Sequence, residues 1–222
     1  MAVRTRGAPP RVATLPAADP PAPARPERDG PVRRRLLAAA SALFARRGFE
    51  RTSLRDVAEA AHVSEAVLRR HFGDTDALLD AICVRAARAE AGRLERIAAA
   101  PRPVAERVRA AAADAVVAAI CDPDDDAAVY RAHSPAVADR RREVRAARHR
   151  YQVLFRALIA EGQGSGAFSA QVPPDTVVDF FLGSVHHLST WYRPANRRSA
   201  AEVGDYYAGQ LVDALRPVPM SA

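Results

Sequence analysis

The chain has 222 residues, room for one large domain or two small ones with an ample core. Apolar residues are 49% and charged residues 27%, which excludes a fully disordered chain, and no apolar run reaches the ~18–20 residues needed to span a bilayer. The net charge is +7, its cationic side chains are all arginine, and such a balance points to an acidic partner, nucleic acid before membrane surface.

Residues 1–30 hold seven prolines and five arginines against three acids, and cannot bury enough apolar surface to offset their ordering entropy. They are expected to form a disordered tail, with a phosphate-touching basic arm as its sharper role. The opening MAVRTRGAPP has no continuous apolar stretch of the signal-peptide kind. Cys83 and Cys121 show neither metal-ligand spacing nor a disulfide framework. A reduced, cytoplasmic chain is expected.

Aromatics are only 6%, and alanine dominates the apolar fraction, which favours close-packed helices over sheets. The first helix opens at Pro31, where a missing N–H costs nothing, carries Val32, Leu36, Ala40, Leu43 and Phe44 on one stripe, and stops at Gly48. Ser53 followed by Asp56 predicts a capping box and a second helix over 54–61. After His62-Val63, Ser64 caps a third helix with Val67, Leu68 and Phe72 inward and Arg69-Arg70 outward. Two short helices joined by a tight turn and backed by a longer one make a helix-turn-helix, whose last helix is a reading head.

Asp74 then caps a long helix to about residue 98, broken by PRP at 101–103, and another follows over 104–121. DPDDD at 122–126 caps a short helix. Pro135 is expected to open a helix of about 25 residues that EGQGSG at 161–166 ends, and two more helices cover 176–192 and 199–215. The fold class is all-α: an N-terminal three-helix unit over 31–76, a larger helical domain over 77–217, and a short tail over 218–222.

Within this pattern, LFARRGFERTS at 43–53, DVAEAAHVS at 56–64, LRRHF at 68–72 and the closing ALL resemble, without a gap over 31–82, the DNA-binding domain of the TetR family of transcriptional regulators. The resemblance implies a homodimeric repressor on a palindromic double-stranded DNA operator, released by a small-molecule effector. It places Thr52, Ser53, Ser64, His71 and Thr75 at the phosphate backbone, and Arg55, Ala66, Val67 and Arg70 at base edges. Arg69 stands where the family usually has tyrosine, Glu65 where a basic residue is common, Thr75 where lysine is frequent and His62 where glycine is frequent, so the operator sequence does not transfer. Arg69 implies a charge-based phosphate contact, and Glu65 repels phosphate unless it accepts from a cytosine amine.

The C-terminal part resembles the family less tightly. WYRP at 191–194 and the helix after it are similar to regulators of lipid degradation that bind acyl-CoA esters, so an acyl-CoA is one implied effector, with arginines between 140 and 150 implied at its phosphates. Tyr130, His133, Tyr151, Phe155, Phe181 and His186 are the candidate pocket residues, each with an ordinary core role as the competing reading. Phe180, Gly183, Val185, Leu188, Tyr206 and Leu211 are the candidate dimer interface, from two helices that the resemblance assembles into a four-helix bundle.

DPDDD lacks the glycine and the final glutamate of a calcium loop, and His186-His187 point about 100° apart on a helix. No metal, cofactor, membrane partner or catalytic residue is expected. The rival classes are a helical ligand-binding or scaffold protein without DNA binding, and an activator instead of a repressor.

Overall fold

The computed structural model describes residues 30–121, 124–192 and 198–217. The expected N-terminal tail up to Asp29, the start of DPDDD, the second half of WYRP and the C-terminal tail at 218–222 lie outside the described residues. Among those described there are nine α-helices and no strand.

The first three are α1 (Pro31–Arg47), α2 (Leu54–Ala60) and α3 (Glu65–Phe72). The capping box of α2 is complete: the Ser53 hydroxyl accepts from Asp56 N–H at 3.2 Å, and Ser53 N–H donates to the Asp56 carboxylate at 2.8 Å. Ser64 caps α3 by accepting from Val67 N–H at 3.3 Å. Between α1 and α2 the chain makes a single 3-10 turn, Phe49–Arg51, which the sequence pattern did not signal. Phe49 sets its ring edge against Phe44 with centroids 5.2 Å apart, which closes the turn over the end of α1.

Next come α4 (Thr75–Ala98), capped by the Asp74 carboxylate at 2.7 Å from Ala77 N–H, and α5 (Val104–Ile120). They are followed by α6 (Asp125–Arg140), α7 (Arg142–Gly164), α8 (Pro174–Trp191) and α9 (Ala200–Ala214). Here one expectation is corrected. Pro135 lies inside α6 and opens nothing; the break falls at Arg141, which is extended at φ −115° and ψ 107°. A proline removes one helix hydrogen bond, but buried Val129, Val137 and Ala138 hold α6 on both sides of it. The break lets Arg140 and Arg141 both reach Asp80 of α4, with Arg140 Nε at 2.9 Å from its carboxylate. Asp80 is buried, and two guanidiniums offset the cost of placing its charge there.

Two apolar cores result. The first joins Leu36, Leu37, Phe44, Val57, Leu68 and Ile82 of α1–α4 to Val129 and Val137 of α6 and Val144 of α7. The second lies among α5, α7, α8 and α9 around Phe155, Ile159, Phe181, Leu188 and Val116. The first core therefore does not end at residue 76: α6 and the first turns of α7 belong to it. In the second, α9 lies so close on α5 that a Cβ on Gly204 would sit 3.1 Å from the Ala113 carbonyl oxygen.

Candidate nucleic-acid interface and ligand cavity

α2 and α3 are joined by a turn in which Val63 N–H returns to the Ala58 carbonyl at 3.0 Å. His62 carries this turn at φ 53°, the left-handed region that favours glycine. Leu68 is fully buried beneath α3, and Phe72 lies under the guanidinium of Arg33 of α1 at 4.8 Å. Ser53, Arg55, Ser64, Ala66, Arg69 and Arg70 are exposed, and Glu65, Val67, His71 and Thr75 are partly so. Each of these side chains reaches solvent on or beside α2 and α3.

Thr52 is the exception among the expected backbone contacts. Its side chain is buried, with the hydroxyl donating to the Gly48 carbonyl at 2.9 Å, so it braces the 3-10 turn instead of facing outward. Two of the three arginines, Arg55 and Arg69, are pre-engaged. Arg55 bonds Glu59 at 2.9 Å, and Arg69 bonds Glu65 through Nε at 3.0 Å and Nη2 at 2.6 Å. Glu65 therefore neutralises the residue expected to meet phosphate. Exposed pairs one helical turn apart are weak and screened by salt, so a phosphate can displace them.

The second feature is a cavity of about 330 Å³ between α4, α5, α6, α7 and α8. Alanines of α4 and α5 form one wall; Glu90, Tyr130, Tyr151, Arg148 and His186 supply polar groups. Burial drives the Glu90 carboxyl above its ordinary range, with Asp114 adding to the shift and Arg93 and Arg148 opposing it. The same desolvation raises the Tyr130 and Tyr151 hydroxyls, which stay protonated donors at any physiological pH.

Of the residues expected in the pocket, Tyr130, Tyr151 and His186 line this cavity. Phe155 and Phe181 do not: they stack edge-to-face with centroids 5.6 Å apart inside the second core. His133 turns the other way, against Phe49 at 5.7 Å, and ties α6 to the turn after α1. Nor do the arginines of 140–150 gather at the cavity. Arg140 and Arg141 hold Asp80, Arg145 caps the carbonyls of Ala138 and Asp139, Arg150 pairs with Glu95, and only Arg148 lines it.

Among the lining residues that escaped the sequence reading, Glu90 and Asp126 matter most. Glu90 interrupts the apolar stripe of α4 between Ala86 and Leu94, and a charge at that register was the signal available. Asp126 lines the cavity and also accepts from Ser41 Oγ of α1 at 2.5 Å and from Arg85 Nη2 of α4 at 2.6 Å. No local pattern could reveal that three-helix contact.

Of the expected interface, Phe180 and Tyr206 are 79% and 54% exposed, Gly183 is exposed with open space where a Cβ would stand among the described residues, and Leu211 is partly covered. Val185 and Leu188 are instead buried in the second core, because they lie on the opposite side of α8 from Phe180 and Gly183. Among the described residues no group of three or more His, Cys, Asp or Glu is placed to hold a metal ion, and no helix is long and apolar enough to cross a membrane.

A small three-helix unit with an exposed, arginine-bearing third helix, carried on a larger helical body, defines a helix-turn-helix DNA-binding transcriptional regulator. The chain belongs to the TetR family: residues 36–82 match "Bacterial regulatory proteins, tetR family", and residues 101–215 match "Tetracyclin repressor-like, C-terminal domain".

Solved structures share the fold. The ketosteroid transcriptional regulator KstR2 of Mycobacterium tuberculosis is 22% identical, with a TM-score of 0.68 over 83% of this chain and 96% of that one. A TetR/AcrR regulator from Thermobifida fusca YX-ER1 is 25% identical, with a TM-score of 0.67 over 83% of this chain and 99% of that one. AibR, solved with isovaleryl coenzyme A and operator DNA, is 22% identical, with a TM-score of 0.65 over 83% of this chain and 97% of that one. A comparison with proteins of curated function finds no match.

Proposed function

We propose that this regulator is a homodimeric repressor that binds a palindromic operator and releases it when a small, largely apolar effector enters the cavity. The observation that carries this reading is Asp126, a single carboxylate that faces the cavity and holds both Ser41 of α1 and Arg85 of α4. A ligand that shifts α6 must move Asp126, and with it the helix that backs the reading head. A tenfold loss of operator affinity needs only about 1.4 kcal/mol of such coupling.

The dimer is formed through the face of α8 and α9 that carries Phe180, Gly183, Tyr206 and Leu211. Two heads then meet successive major grooves roughly 34–36 Å apart. A volume of about 330 Å³ sits at the small end of the ~300–1,000 Å³ range for ligand pockets. AibR's isovaleryl coenzyme A makes short acyl-CoA esters the first effectors to try.

The test is fluorescence anisotropy of the full chain on labelled DNA from immediately upstream of its own gene, with a salt series and scrambled competitor. Tight, palindrome-dependent, salt-sensitive binding that added effector reverses supports the reading. Binding that scrambled DNA competes away equally well overturns it.

A further inference from the structure

The family resemblance sets Arg55, Ala66, Val67 and Arg70 at base edges without saying which base any of them reads. The structure separates them. Leu68 is the fully buried side chain of α3 and fixes which way the helix faces. At about 100° per residue, Ala66 and Arg70 both fall within about 20° of the direction opposite Leu68. Arg69 and Val67 lie about 100° from Leu68 on either side, and Glu65 only about 60° from it. Ala66 and Arg70 are accordingly exposed, whereas Glu65 and Val67 are partly covered.

Partners divide the arginines in the same way. Glu59 holds Arg55 and Glu65 holds Arg69, but Arg70 makes no hydrogen bond or ion pair among the described residues. Its planar guanidinium keeps the paired donors that match O6 and N7 of guanine. Ala66 has only a methyl group, which lets the helix approach closely and meets best the methyl group of thymine. The two side chains stand about 6 Å apart along the axis, less than two base-pair steps of about 3.4 Å.

We propose that Arg70 reads a guanine and Ala66 the methyl group of a nearby thymine, and that this stripe sets the base preference of each half-site. Glu65 and Arg69, on the shoulder of the helix, face the backbone. The assignment rests on DNA binding by the head, and on neither the repressor nor the effector reading.

Selection of duplexes from a random library by the full chain, followed by anisotropy on the enriched sequence, tests this. The parent is expected to enrich a guanine whose replacement by 7-deazaguanine, which lacks N7, weakens binding roughly tenfold. Arg70→Ala is expected to bind the two duplexes alike, while Arg55→Ala and Arg69→Ala still distinguish them. Uracil in place of the neighbouring thymine, a loss of the methyl group alone, is expected to weaken the parent about threefold. Ala66→Gly is expected to bind thymine and uracil duplexes equally, and Ala66→Ser, with a stronger helix former, to do the same. Melting curves of each variant establish that it is folded.

If the 7-deazaguanine effect survives in Arg70→Ala, or disappears in Arg55→Ala or Arg69→Ala instead, Arg70 is not the guanine reader. If uracil binds the parent as thymine does, or both Ala66 variants keep the preference, Ala66 meets no thymine. Enriched sites without a guanine, or no enrichment at all, overturn the assignment outright. Enriched sites with a single half-site would overturn the palindrome proposed above, while the two base analogues still decide the assignment.

Discussion

The Ser41 hydroxyl donates to the Asp126 carboxylate at 2.5 Å, a bond between α1 and α6 that spans 85 residues of sequence. Ser41 is buried, and Asp126 is mostly shielded by Arg85, so the bond is made away from bulk water. A hydrogen bond to a charged acceptor in such a place contributes about 1.5–3 kcal/mol. Ser41→Ala and Asp126→Asn should therefore each destabilise the protein. In a double-mutant cycle by urea unfolding, the pair should show a coupling of about 1 kcal/mol or more. Strict additivity would mean that the contact carries no energy and cannot transmit a ligand's effect.

On the head, Arg69→Ala with Arg70→Ala should abolish tight operator binding and lower the salt slope by nearly two, with helicity and assembly intact. Glu65→Gln should act in the opposite direction: it removes a negative charge beside phosphate and releases Arg69 from its pair. Anisotropy titrations should show tighter binding to specific and scrambled DNA alike. Weaker binding to the specific site alone would mark Glu65 as a base reader.

His62 holds a left-handed turn at φ 53°. For a residue with a Cβ that conformation costs about 1–2 kcal/mol, and glycine returns roughly 0.5–1 kcal/mol of this to unfolded-chain entropy. His62→Gly should thus gain roughly 0.5–1 kcal/mol, seen in a thermal melt as a rise of about 1–4 °C. An unchanged or lower melting temperature would show that the imidazole compensates for the strain.

Burial raises the Glu90 carboxyl above its ordinary value of 4.5, so between that pH and its folded value the native state holds a proton that the unfolded chain has lost. Stability must then fall as pH rises through that window. Glu90→Gln has no proton to lose, so it should flatten this part of the profile and be the more stable protein at neutral pH. Urea titrations at several pH values decide this; parallel profiles would place Glu90 in water.

Phe180 is 79% exposed on α8 and makes no contribution to the core of its own chain. Phe180→Glu should split the proposed dimer without unfolding it, and weaken operator binding because two heads no longer act together. Sedimentation velocity beside a circular dichroism melt separates the two effects. A variant that stays dimeric would move the interface off this face.

What the sequence determined by itself is local. Ser53, Ser64 and Asp74 cap helices three residues ahead, Gly48 stops α1, and the apolar stripes of α1 to α4 repeat within single turns. These interactions act between close neighbours in the chain, so their residues can be read in order, and the surface around α3 follows from them. Thr52 departs from that surface because a hydroxyl's direction depends on the 3-10 turn folded over it.

The tertiary structure decided everything that needs distant partners. Pro135 stays inside a helix because α6 packs in the first core, and α6 ends where Arg140 and Arg141 find Asp80. Phe155 and Phe181 are core while Glu90 and Asp126 face the cavity, since which side of a helix is left uncovered depends on how five helices cross. Periodicity shows that a helix has a buried face, but only packing decides where that face meets a neighbour and where it leaves a space.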